Sequence, residues 1–210
     1  MVSEARGRRE RKNAQTRAAL ADVALRLFLQ KGYDAVSVKE IADAVDISVP
    51  TVFNHVPDGK EALIFDDGTE RREGLLAAVG DRAAGQSVMA ALRGFISGRG
   101  PFVAEPTEEF RRRTELIMKT PALHGYSRKL WIRCEEPLAA AIATEIGRPS
   151  DDLTARAVAR YVLEIPQFVG DADDPLLALH TVFDLLEHGL ASAVAQGPAG
   201  TKRSEIELMQ

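Results

Sequence analysis

Apolar residues recur with a period near 3.6 along almost the whole chain, and the strict alternation of a half-buried strand is rare. This pattern confines the chain to packed helices. Leu20, Val23, Ala24, Leu27 and Phe28 mark one face of a first helix from Asn13 to Lys31, and Gly32 stops it. Composition agrees: 31 Ala and 21 Leu, about a quarter of the 210 residues, favour helix because these side chains lose little freedom there. The expected fold class is all-α, with about nine helices.

The front of the chain holds the sharpest signals. Ser37-Val38-Lys39-Glu40 is a capping box opening a second helix whose apolar face is Val38, Ile41, Ala42 and Val45. Asp46-Ile47-Ser48 is a short turn. Ser48 caps a third helix with Pro50 in its first turn and Val49, Val52, Phe53 and Val56 on its apolar face. After the turn Pro57-Asp58-Gly59, a long fourth helix is expected from Lys60 to about Gly80. Five more stretches follow, near 87–97, 107–119, 121–147, 151–169 and 174–196, with Pro137 and Pro166 expected to kink or break theirs. The expected organisation is a basic disordered arm (1–12), a helix-turn-helix unit (13–59), a ligand-binding and dimerisation bundle (60–196) and a flexible tail (197–210).

Two short helices joined by a tight turn form the helix-turn-helix, whose second helix enters the DNA major groove. With the apolar face of the third helix turned inward, Thr51, Asn54 and His55 face out. Asn bonds adenine in a bidentate manner, and Thr offers thymine a methyl or phosphate a hydroxyl. Lys60, just beyond, is placed to meet a backbone phosphate. The net charge of −4 hides an asymmetry: residues 1–17 carry six cations against two anions, a basic arm on an acidic body.

The stretch 16–64 resembles the TetR family of bacterial repressors. It has a helix ending in Gly-Tyr, then Ser-Val-x-x-Ile-Ala, Ser-x-x-Thr-Val-Phe-x-His and Lys-Glu-x-Leu. The resemblance implies a homodimer that binds a palindromic operator, usually as a repressor, and a divergent remainder that binds an inducer. Thr51, Phe53, His55 and Lys60 match DNA-contacting motif positions, and Ser37 matches a helix cap that approaches phosphate. With Ser48 and Asn54 they form the expected DNA-binding set. The chain departs from the family pattern in carrying Phe53 for a common Tyr, Asp46 for a common turn Gly and Val56 for a common Phe.

Other function classes find little support. There is no Walker A loop, no G-x-S-x-G and no H-E-x-x-H, so no enzyme activity and no cofactor are expected. Cys134 reads as a small core residue. His180, Asp184 and His188 share a helix face at a spacing known from zinc sites, but equally at that of a polar seam, and no metal is assigned. The opening residues do not form a signal peptide, and no apolar run reaches about 18 residues, which points to a cytoplasmic protein. The rival reading is a helical-bundle enzyme or carrier that uses a C-terminal pocket without DNA.

The back unit is larger than DNA binding requires. A small, largely apolar inducer is expected there, with Phe95, Phe102, Arg112, Tyr126, Trp131, Tyr161 and Phe168 as candidate lining. Successive helical positions point about 100° apart, so one of Arg111, Arg112 and Arg113 can face a pocket while the others face water. The long fourth helix is the expected lever between ligand and DNA. The last helix carries a second apolar face, and Leu177, Val182 and Leu185, with Val158 and Val162 of its neighbour, are the expected dimer interface.

Overall fold

Two hydrophobic cores organise the chain. The computed structural model describes the backbone of residues 2–195 and the side-chain surroundings of residues 11–189. Among the described residues ten helical segments follow in order: α1 Val2–Lys31, α2 Val38–Ala44, α3 Val49–His55, α4 Thr69–Gly80, α5 Val88–Ser97, α6 Glu108–Lys119, α7 Pro121–Ile132, α8 Glu135–Glu145, α9 Leu153–Val169 and α10 Pro175–Ala195, the last kinked at Gly189 (φ 78°, ψ 172°). Two 3-10 turns, Lys60–Ile64 and Gly100–Phe102, complete the secondary structure. The described residues contain no strand, as the all-α expectation requires.

The first core gathers Leu20, Ala24 and Phe28 of α1 with Ile41 of α2, Val52 of α3, and Val56. It does not end with the helix-turn-helix. Leu63, Ile64 and Phe65 belong to it, and so do Leu123 and Leu130 of α7. The second core joins α4, α5, α8, α9 and α10 around Leu75, Leu92, Leu138, Leu163 and Phe183.

Several expected boundaries move. Residues 2–12, expected as a disordered arm, form the first turns of α1. The tail 197–210 lies outside the described residues, as do the side chains of Leu190, Ala193 and Val194. The expected helix 60–80 is divided. Lys60–Ile64 is a 3-10 turn, Phe65 is extended (φ −114°, ψ 154°), and Gly68 takes the left-handed conformation before α4 (φ 82°). The Asp67 carboxylate accepts from the Thr69 N–H at 2.9 Å, so Asp67-Gly68 acts as a breaker and start signal inside an apparently continuous pattern.

The stretch 121–147 also divides, and Pro137 is the cause. Its ring would clash with the Arg133 carbonyl in a continuous helix. The chain instead restarts at Glu135, which places Pro137 in the first turn of α8, where a missing N–H costs nothing. Pro166 has no such effect, because α9 runs through it.

Candidate nucleic-acid interface and ligand cavity

Both helices of the helix-turn-helix are capped as their sequences require. Ser37 Oγ accepts from the Glu40 N–H at 3.1 Å, and Ser48 Oγ accepts from the Thr51 N–H at 3.3 Å. Between the helices Asp46 adopts φ 57°, the one positive φ among described non-glycine residues. The position thus demands the left-handed conformation that Asp tolerates and that β-branched residues resist.

Helix α3 buries Val52, the following Val56 is buried too, and Asn54 is exposed. Phe53, read as part of the apolar face, is 45% exposed and stands beside Asn54 on the outer surface. Thr51 and His55 are half-buried at its edge, and Thr51 Oγ1 lies 2.8 Å from Ser48 Oγ. Arg17 of α1 donates to the His55 carbonyl at 2.9 Å and so satisfies the C-terminal end of α3. Lys60 has a structural task besides any phosphate contact. Its ammonium donates to the Tyr33 and Val36 carbonyls at 2.8 and 2.9 Å and sits 3.8 Å from the Tyr33 ring centroid. Two of its three N–H donors thereby pin the α1–α2 connector.

A cavity of about 340 Å³ lies among α4, α6, α7, α9 and the turn Gly100–Phe102. Its apolar walls include Phe65, Phe102, Phe110, Ile117, Trp131 and Pro166. Its polar groups include Arg71, Arg99, Arg113, His124, Arg128 and Gln167, with Asp66 and Glu70. Of the expected lining residues, Phe102 and Trp131 are there.

The others sit elsewhere. Arg112 faces a surface groove with Asp22, Leu25 and Arg26 of α1, and of the three successive arginines it is Arg113 that lines the cavity. Phe95 packs on the second core beneath the Arg99 guanidinium, 3.6 Å from the ring centroid. Tyr126 packs on Phe65, with ring centroids 5.3 Å apart. Tyr161 and Phe168 lie on the outside, 59% and 75% exposed. Periodicity could not have found Arg71 or His124, because a pocket wall and a solvated face carry the same pattern.

Neither set of candidate catalytic or metal groups assembles. Burial pushes the Cys134 thiol up from its ordinary value, the opposite of an activated nucleophile. Asp184 accepts from Arg93 at 2.8 Å, and no group of three or more His, Cys, Asp or Glu among the described residues is arranged to hold a metal.

Residues 20–66 match the family described as bacterial regulatory proteins, tetR family, and residues 86–191 match the MftR C-terminal domain. The chain belongs to the TetR family. HTH-type transcriptional regulator TcmR of Streptomyces glaucescens is 30% identical over 192 residues, covering 85% of this chain and 84% of its own. A Mycobacterium tuberculosis protein described as a mycofactocin biosynthesis transcriptional regulator, MftR, is 28% identical over 189 residues, covering 86% and 93%. At the level of fold, Salmonella enterica GusR superposes with a TM-score of 0.51 at 22% identity, covering 84% of this chain and 96% of its own. This chain is therefore a TetR-family transcriptional regulator and not an enzyme.

In this TetR-family chain the DNA-binding unit meets the body through α6 and α7. Helix α4, expected as the lever, packs mainly on α5 and α8. Asp58, in the turn after α3, accepts from Arg133 at 2.9 Å and from the Tyr126 hydroxyl at 3.0 Å. These bonds, with Lys129 nearby, hold its carboxyl below the usual range. Arg113 of α6 donates to the Ile64 carbonyl at 2.6 Å. Phe65 belongs both to the first core and to the cavity wall.

Helices α9 and α10 carry exposed apolar residues on their outer side. Leu153, Tyr161, Phe168, Leu177, Leu185 and Leu186 are exposed there. Val158 and Val182 are half-buried against the second core. Val162, expected in an interface, is fully buried in that core, because α9 turns Ala155, Ala159, Val162 and Leu163 inward.

Proposed function

We propose that this regulator is a ligand-responsive repressor, working in the cytoplasm, that binds a palindromic operator as a homodimer and leaves it when a small molecule fills the cavity. Ser37, Ser48, Thr51, Phe53, Asn54 and His55 form the DNA-facing set. Lys60 contributes its remaining N–H donor to phosphate. The exposed α9–α10 face forms the homodimer contact.

The observation that carries the ligand response is shared structure. Arg113 and Phe65 line the cavity, and each also touches or belongs to the packing under the helix-turn-helix. A ligand that moves either residue changes how α3 is held. Such a ligand lowers DNA affinity only by binding the DNA-incompetent arrangement more tightly, with a coupling of about 1–3 kcal/mol in typical cases.

The DNA assignment is tested on α3. Asn54→Ala is expected to weaken binding to an operator selected from random DNA by about 1–3 kcal/mol, the worth of one bidentate base contact. Affinity for random-sequence DNA should stay close to that of the parent, because phosphate carries no sequence information. Fluorescence anisotropy with the two duplexes measures both. Undiminished discrimination between them would remove the outward face of α3 from the reading site.

A further inference from the structure

We propose that the cavity takes a monoanionic, carboxylate-bearing ligand with an apolar body, its head group held by Arg71, Arg113 and His124. This names the ligand class of the site described above and rests on that site being a ligand pocket.

Among the described residues, the buried side-chain polar atoms without a hydrogen-bond partner are Arg71 Nη1, Arg113 Nε and His124 Nε2. All three belong to residues that line this one cavity. They come from three different helices, α4, α6 and α7, so no single local turn explains their coincidence.

All three are donors. The guanidinium atoms have no acceptor capacity. On His124 the Gln167 amide N–H donates to Nδ1 at 3.2 Å, which places the ring proton on Nε2. A buried donor left unsatisfied is costly, more so when it is charged, so three in one wall call for an acceptor-rich occupant. A carboxylate supplies two oxygens and about four lone-pair sites.

The charge balance points the same way. Arg128 is neutralised by Glu164 through two bonds of 2.7 and 2.5 Å. Glu70 lies 3.7 Å from Arg99, and Asp66 lies 3.9 Å from Arg71. Arg113 forms no ion pair among the described residues; its one bond goes to the Ile64 carbonyl. One cation therefore remains for the ligand to neutralise. Phe65, Phe102, Phe110, Ile117, Trp131 and Pro166 form an apolar part of the wall, so the remainder of the ligand is apolar.

Trp131, the one tryptophan of the chain, lines the cavity, with the Arg71 guanidinium 5.0 Å from its ring centroid, so its emission reports occupancy. The experiment titrates the full-length protein with octanoate, octanol and octylamine, three probes with the same chain and different heads. Octanoate is expected to bind at least about tenfold more tightly than either of the others, the effect of charge-assisted hydrogen bonds in a dry site.

Arg71→Gln and Arg113→Gln should each abolish that preference while octanol binding stays. Arg113→Lys, which keeps the charge, guards against a fold defect from the lost Ile64 contact, and should retain part of the preference. Equal or tighter binding of octanol or octylamine would overturn the carboxylate proposal and leave the ligand pocket standing. Failure of all three probes to change Trp131 emission would overturn the proposal and the pocket together. A preference for octanoate that survives both Gln variants would overturn the assignment of these residues.

Discussion

Phe168→Glu is expected to give a helical monomer that no longer holds its operator. Phe168 and Tyr161 are 75% and 59% exposed and line one groove with Val182 and Leu186, and Leu177 of α10 is 64% exposed. Exposed large apolar side chains gathered in this way mark an interaction site. A twofold axis lets the same patch cover itself, with every residue used twice. A charge introduced there enters the interface in two copies. Each buried unpaired charge costs about 3–5 kcal/mol, which is more than a hundredfold in the dimerisation constant. Sedimentation measures the assembly, circular dichroism the fold, and anisotropy the operator affinity. A folded dimer with unchanged operator affinity would show that the twofold contact lies elsewhere.

Leu123→Ala is expected to loosen the DNA-binding unit although Leu123 lies about 70 residues beyond it in sequence. Leu123 is fully buried, and it belongs to the same core as Ile41 of α2 and Val52 of α3. Truncating a buried leucine costs about 3–5 kcal/mol, from lost transfer energy and the cavity left behind. That is a large part of the stability of an ordinary domain. Hydrogen exchange resolves where the loss falls. Amides of α1, α2 and α3 should lose protection together with those of α7. Loss confined to α6 and α7 would mean that the two units have separate cores.

What could be read from the sequence follows from how local each signal is. The caps at Ser37 and Ser48, the stop at Gly32 and the turn at Asp46 depend on a few neighbouring residues, and each stands where the pattern placed it. Helix faces were legible where one side is water and the other is core. Val52 and Val56 are legible as core for that reason.

Phe53 is not, because an apolar residue at the margin of a stripe can serve either the core or a partner. The division of 60–80 is hidden because the apolar period continues on both sides of Asp67-Gly68, which carries its own turn chemistry. The cavity was the least legible feature. Arg113, His124 and Arg71 meet through tertiary packing of three helices, and neighbouring Arg112 carries the same side chain to a different surface.

The measurement that reaches the central claim most directly is selection of bound sequences from random DNA by the full-length protein. A homodimer reading with α3 should enrich an inverted repeat whose half-sites are centred about one helical turn apart, roughly 34–36 Å, or a multiple of that. Binding should fall steeply with salt, because cations of the protein displace counterions from phosphate. An enriched palindrome with that spacing is the predicted result. Enrichment of nothing, or of a single unrepeated half-site, would contradict the account.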